Sequence, residues 1–135
     1  MGGVERPLAL GPTDDYRHKI LPLRQRKEVK NRWLRHRLEN ILPEVMRRGG
    51  FDMWIVVARE YNEDPVIMTL LPEPMMYARR RTILVFNLKD DGSLERLVLS
   101  RYGIKEFYEG VWDPDDEEQH ACLARVVRER EPEFI

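Results

Sequence analysis

The polar stretch from Arg59 to Asp64 holds the residues best suited to chemistry in this chain. It contains an arginine, two carboxylates, a phenol and an amide, namely Arg59, Glu60, Asp64, Tyr61 and Asn62. It directly follows an apolar run typical of a buried strand, and ligands of layered α/β sheets gather beyond the carboxyl ends of strands. We predict that these side chains form a candidate ligand site or, alternatively, the site of a small stand-alone α/β hydrolase. In a purely structural interpretation, Asp64 caps a helix and Asn62 shapes a turn. Arg59 then forms an ion pair with Glu60.

Basic residues concentrate in two places. The helix predicted over 24–37 carries seven of them: Arg24, Arg26, Lys27, Lys30, Arg32, Arg35 and Arg37. Phosphate contacts would make this helix a nucleic-acid-binding module, but long basic side chains usually form a solvated face, and Trp33 is assigned to the apolar stripe. Nucleic acid is therefore the alternative and not the expected partner. The second cluster, Arg79-Arg80-Arg81, either faces the same region as the first stretch or protects a sheet edge.

The candidate metal ligands and the one thiol do not assemble into a site in the sequence. His18 and His36 lack a second ligand at metal spacing. Glu117-x-x-His120 is one half of a di-iron carboxylate motif, which needs a second such pair and further glutamates on other helices. Cys122 is expected in a buried helical stripe with no basic activator beside it. We therefore expect no catalytic residue, metal or other cofactor in this chain.

A long amphipathic helix should precede the candidate stretch. Apolar residues at helical spacing predict a helix from Arg24 to Arg48, with a kink at Pro43 and an end at Gly49-Gly50. Its expected apolar stripe is Val29, Trp33, Leu34, Leu38, Ile41, Leu42, Val45 and Met46.

Three strands should form the sheet. They are predicted at Met53–Ala58, Thr82–Leu88 and Leu94–Ser100. Gly92 lies in a hairpin turn between the last two, since glycine accepts the positive φ that such turns need. The continuous apolar character of the first run indicates a strand covered on both faces.

Two further helices are predicted around the sheet. A short one follows the Asp64 cap through Val66–Leu71, and a longer one runs from Pro114 to about Arg130 with Asp113 as its cap. The buried stripe expected for the longer helix is Ala121, Cys122, Leu123, Val126 and Val127. Phe134-Ile135 resembles the opening of another strand, so the sheet is expected to be incomplete.

Composition bounds the class of protein. The chain has 135 residues, 23 basic and 24 acidic, with one cysteine, which is typical of one domain and excludes an internal disulfide. No apolar run approaches the ~20 residues of a membrane span, and the first residues lack the apolar region of a signal peptide. We predict a flexible N-terminal arm at 1–22, an α/β domain at 23–135, and a cytoplasmic location.

From Leu23 to Pro132 the chain resembles the N-terminal domain of creatinase, prolidase and aminopeptidase P-type metallopeptidases. The resemblance lies in the order of helix, Gly-Gly, buried strand, polar turn and hairpin. It is strongest in a bacterial branch of Xaa-Pro peptidases, over LPEVMRRGGFDMWIVVAREYNEDPV (Leu42–Val66), RRTILVF (Arg80–Phe86) and YEGVWDPDDE (Tyr108–Glu117).

The resemblance implies a ribonuclease-H-like fold with a layered mixed β-sheet flanked by helices. It also implies a C-terminal pita-bread catalytic domain that binds two divalent ions (Mn, Co or Zn) through two Asp, one His and two Glu. That domain is absent from this sequence, so no family metal ligand falls on any of its residues. In the family, the N-terminal domain supports homo-oligomers and limits substrates to short proline-containing peptides. Carrying this gating role to the Arg59–Asp64 stretch follows from its position after the strand and not from a motif.

Overall fold

The computed structural model describes residues 19–75 and 77–135. Most of the arm predicted at 1–22, with His18, lies outside the described residues. Within them, no helix is long and apolar enough to cross a bilayer.

The long first helix is confirmed, and a π-helical turn precedes Pro43, the position of the predicted kink. It consists of α1 (Leu23–His36), a π-helical turn (Arg37–Ile41) and α2 (Leu42–Gly49). Pro43 lacks an N–H and its ring would collide with the carbonyl four residues earlier, and a π turn immediately before it relieves that conflict. Gly50 ends the helix with φ 73°, as the Gly-Gly pair predicts.

The predicted stripe of this helix is wrong at three positions. Leu34, Leu38 and Met46 are buried, whereas Trp33, Ile41 and Val45 are 61%, 49% and 56% exposed. The π turn explains two of these differences, because it adds a residue to one turn and brings Leu38 and Pro43, five apart, to the same face. Ile41 and Val45, which a regular helix would bury, are thereby rotated outward, whereas Trp33 precedes the turn and lies beside the buried face of α1.

The sheet contains the three predicted strands and a short fourth. The strands are β1 (Met53–Arg59), β2 (Arg81–Leu88), β3 (Leu94–Leu99) and β4 (Glu109–Gly110), in the order β1-β2-β3-β4. The first three are antiparallel and β4 runs parallel to β3. Gly92 takes φ 83° in the β2–β3 turn, which confirms the predicted hairpin. The two-residue β4 carries no apolar pattern and was not predicted.

Helices cover both faces of this mixed sheet, which confirms the α/β class. One face packs against α1 and α2 through Val56, Leu84, Phe86 and Val98. The opposite face packs against the last helix through Ile83, Val85, Leu97 and Leu99. On that face the helix does not fully cover β1, the edge strand, where Val57 is 54% exposed.

The other two helices are shorter than predicted. Asp64 caps α3 as expected, but α3 is a single turn (Pro65–Met68). The last helix, α4 (Gln119–Arg130), begins five residues after the predicted start and is capped by Glu118 instead of Asp113. Asp113 closes the preceding turn, where its carboxylate accepts the Asp115 N–H at 2.9 Å. The predicted stripe of α4 is correct at Cys122 and Val126, whereas Ala121 is exposed.

Candidate functional site

The stretch singled out in the sequence forms a tight turn at the end of β1. The Asn62 N–H donates to the Arg59 carbonyl at 3.0 Å, which folds the chain back on itself. Tyr61 at the tip has φ 66°, a left-handed conformation that costs energy for a residue other than glycine. Its side chain is 94% exposed. The turn therefore presents an aromatic ring to solvent.

Two members of this stretch have structural roles. The Asp64 carboxylate accepts the Val66 and Ile67 N–H groups at 2.8 and 3.1 Å, so its oxygens are committed to the cap of α3. The Glu60 N–H donates to the Arg80 carbonyl at 2.8 Å. No ion pair joins Arg59 to Glu60 in the described part of the chain, so the predicted pairing of these neighbours is wrong.

The basic cluster Arg79-Arg80-Arg81 lies beside the turn. Of the two roles that the sequence left open for it, it therefore faces the region of Arg59–Asp64 and does not protect a sheet edge. Arg59 is the cross-strand partner of Arg81, and residues directly opposite share a face of the sheet. Leu99 pairs with Ile83, so Arg101 follows β3 at the same end as Arg81 and on the same face. We call Arg59, Arg81 and Arg101 the arginine row.

The start of α4 is fixed above the arginine row by a buried amide. Gln119 is 6% exposed, and its Nε2 donates to the carbonyls of Arg81 (3.0 Å) and Leu99 (2.8 Å). Arg81 begins β2 and Leu99 ends β3, so both carbonyls lie at the same end of the sheet. Leaving them unpaired would cost free energy. One side chain therefore sets the height of the helix over the sheet.

An open cleft of about 660 Å³ lies between the strand ends and α4. Its lining is formed by Arg80, Arg81, Arg101, Trp112, Pro114, Glu117, Glu118 and Gln119. The Arg81 guanidinium also reaches His120, with Nη1 at 3.2 Å from Nε2. Three guanidinium groups on one cleft make it suited to negatively charged ligands.

Both acidic side chains of the cleft are already occupied. Glu117 forms an ion pair with Arg125 at 2.5 Å, and this guanidinium lowers the pKa of the Glu117 carboxyl below its ordinary value. Glu118 accepts the His120 and Ala121 N–H groups at 2.8 and 3.2 Å as the cap of α4. Among the described residues, neither carboxylate forms an ion pair with a member of the arginine row.

The structure does not bring the candidate metal ligands together. Glu117 faces Arg125, whereas His120 lies against Arg81, so the E-x-x-H pair does not share one site. Across residues 19–75 and 77–135 no group of three or more His, Cys, Asp and Glu is placed to hold a metal ion.

Cys122 is buried, as predicted, but it does have a basic neighbour. The Arg125 guanidinium lies 3.5 Å from its Sγ, a contact that the sequence analysis missed. Burial, with the nearby Glu117 carboxylate, raises the pKa of the Cys122 thiol to about 11. The thiol is therefore protonated at neutral pH and a poor nucleophile.

We expect Cys122 to resist thiol reagents in the folded chain. With Ellman's reagent at pH 8, labelling should be at least about a hundredfold slower in buffer than in 6 M urea, because the reactive thiolate is scarce and the sulfur is covered. Native labelling as fast as labelling of the unfolded chain would show that the thiol is accessible and activated.

Three of the seven basic residues of the helix over 24–37 contact distant segments of the described chain. Lys30 pairs with Glu73, the Arg37 guanidinium donates to the Thr69 carbonyl at 2.5 Å, and Arg35 lies over the Phe107 ring at 4.9 Å. Trp33 is exposed, which corrects its assignment to the stripe. Lys30 and Arg37, about one turn before and after it, already have partners, so the nucleic-acid alternative gains little from its exposure.

Three residues of the cleft were not identified as site residues from the sequence. They are Arg101, Trp112 and Gln119. Arg101 could have been found from the hairpin, because a residue just beyond β3 must lie near the start of β2. Gln119 could not, because its role depends on where α4 begins.

No protein-family model matches this chain, and comparisons with curated proteins and with solved structures find no match. A functional proposal therefore rests on the residues described above together with the sequence resemblance.

Proposed function

We propose that this chain is the non-catalytic N-terminal domain of an Xaa-Pro aminopeptidase or prolidase-like metallopeptidase, and that it contributes to oligomerisation and to the gating of substrate access. The observation that carries the proposal is the rim at one end of the sheet. There, the exposed Tyr61 ring stands on the same turn as Arg59, and Arg59 pairs across the strands with Arg81. Such a rim can contact a peptide that approaches a neighbouring site.

The roles within the rim differ by residue. Arg59, Tyr61 and Asn62 face the substrate at the turn, where a cation, a ring and an amide can contact the peptide. Asp64 and the backbone of Glu60 hold the turn in place. The partners are the C-terminal pita-bread domain with its two divalent ions (Mn, Co or Zn), further copies of the chain and short proline-containing peptides in the cytoplasm.

The finer fold in this proposal is ribonuclease-H-like, as in creatinase N-terminal domains. It is supported by the return of the chain to the outer edge of β1 after α4. There, the Asp52 and Met53 N–H groups donate to the Phe134 carbonyl at 3.0 and 3.2 Å. The Asp52 carboxylate accepts the Glu133 and Phe134 N–H groups, each at 3.0 Å. In the proposed fold, a further strand would join the sheet at this edge.

Oligomerisation draws support from the outer surface of the first helix. Trp33, Ile41 and Val45 are each about half exposed or more. Exposed large apolar side chains grouped on one element are typical of protein contacts, and identical patches in two copies can meet across a twofold axis.

The test is peptide hydrolysis with manganese. This chain alone should release no proline from Xaa-Pro dipeptides. In a protein that also carries the catalytic domain, Tyr61→Ala should raise KM about tenfold or admit longer peptides, because one rim contact is lost. Phe51→Ala, at the opposite end of β1, is the matched control.

Two results would contradict the proposal. One is metal-dependent hydrolysis by this chain alone, since it would show a complete site here. The other is a Tyr61→Ala enzyme with unchanged KM and unchanged limit on peptide length.

A further inference from the structure

The arginine row is unfavourable for the fold by itself. Arg59 and Arg81 are direct cross-strand partners, and like charges in that position repel each other and destabilise a sheet. Arg101 adds a third cation beside the same cleft. The two carboxylates that line the cleft are committed to Arg125 and to the cap of α4. The cleft therefore keeps an excess of positive charge.

The side chains of the cleft define what could relieve that charge. Arg80, Arg81 and Arg101 line one cavity of about 660 Å³ with the Trp112 ring. Guanidinium groups donate two parallel hydrogen bonds to carboxylate or phosphate oxygens. The helix end contributes few donors of its own, because Glu118 already accepts the N–H groups of His120 and Ala121 in the first turn of α4. Recognition would therefore come from the arginine side chains.

We propose that the cleft between the strand ends and the first turn of α4 is a binding site for a small oxyanion, a carboxylate or a phosphate, held by Arg81 and Arg101 with Arg80 at its edge. The site shares Arg81 with the rim beside the Tyr61 turn, but its binding of an oxyanion does not depend on the peptidase assignment. Gln119 fixes the distance between its two walls through the carbonyls of Arg81 and Leu99.

Trp112 provides a resident reporter for the test. Its indole Nε1 donates to the Glu117 carbonyl at 2.9 Å, at the wall of the cleft. The indole N–H resonance of Trp112 is followed in 15N-labelled chain during titration with inorganic phosphate, with the dipeptide Ala-Pro and with its neutral C-terminal amide. Ionic strength is held constant with NaCl, so that general screening does not change.

A saturable shift of the Trp112 resonance is expected with phosphate, with Ala-Pro, or with both, and the probe that binds identifies the source of the oxyanion. Arg81→Gln and Arg101→Gln should each weaken binding about tenfold or more, since each removes charge-assisted hydrogen bonds. Arg128→Gln, an exposed cation at the far end of α4, should bind as the wild type does.

Three results would overturn the proposal. They are the absence of a saturable shift with either anion, equal affinity for the dipeptide and its amide without any phosphate binding, and wild-type affinity in both arginine variants. The substituted side chains are exposed, so the fold should survive the changes. An unchanged Trp54 indole resonance in each variant verifies this.

Discussion

Replacing Phe86 by alanine is expected to lower the free energy of unfolding by about 3–5 kcal/mol, the usual cost of removing a buried aromatic ring. Phe86 is 0% exposed. Its ring stacks on Trp54 at 5.2 Å and meets the edge of Tyr108 at 5.9 Å between centroids. The change would leave a cavity where β1, β2 and the segment before β4 meet. Urea denaturation followed by tryptophan fluorescence measures the loss.

Phe51→Ala is the control for this substitution. Phe51 is 49% exposed, so the same chemical change should cost about 1 kcal/mol or less. If Phe86→Ala lost no more than the control, the contacts of the ring with Trp54 and Tyr108 would not stabilise the core as described.

Arg130→Gln is expected to cost about 2 kcal/mol near neutral pH, because it leaves a largely buried carboxylate without its partner. The Arg130 Nε and Nη2 atoms donate to the two Glu95 oxygens at 2.5 and 2.9 Å. Their side chains are 19% and 22% exposed. The pair joins the end of α4 to β3, and so holds the helix whose start carries the cleft.

The pH dependence of this pair has a definite sign. Arg130 lowers the pKa of Glu95 below its ordinary value of 4.5. The stability from the pair is therefore fully present above about pH 5 and is lost as the pH falls through 4.5 and below. The stability difference between wild type and Arg130→Gln should shrink across that range. A difference that stays constant down to about pH 3 would contradict the account, and Arg128→Gln should show no pH-dependent difference.

The strands were predictable because a strand that is buried on two faces is a continuous apolar run in the sequence. β1, β2 and β3 lie within one residue of their predicted bounds, since continuous apolar runs end sharply at polar turns. The turn at Gly92 was equally clear, because few residues accept its backbone conformation.

Helix surfaces were less predictable because they depend on neighbouring geometry. The exposure of Val45 follows from the π turn before Pro43, because periodicity alone assumes an even helix. The start of α4 was misplaced because several acids in a row can each serve as a cap. The choice of Glu118 depends on where Gln119 finds its two carbonyl partners.

The site was only half visible in the sequence. Arg59–Asp64 was recognised from its position after a strand, and Asp64 proved to be a cap. The meeting of Arg59 with Arg81 required the register of β1 and β2, which no local pattern fixes. The role of Arg101 required the hairpin as well.

The peptidase proposal is tested most directly by the nucleotide sequence of the reading frame beyond the codon for Ile135. The account predicts that it continues into a second domain carrying two Asp, one His and two Glu as metal ligands. A stop codon at that point, or a continuation without this ligand set, would contradict it.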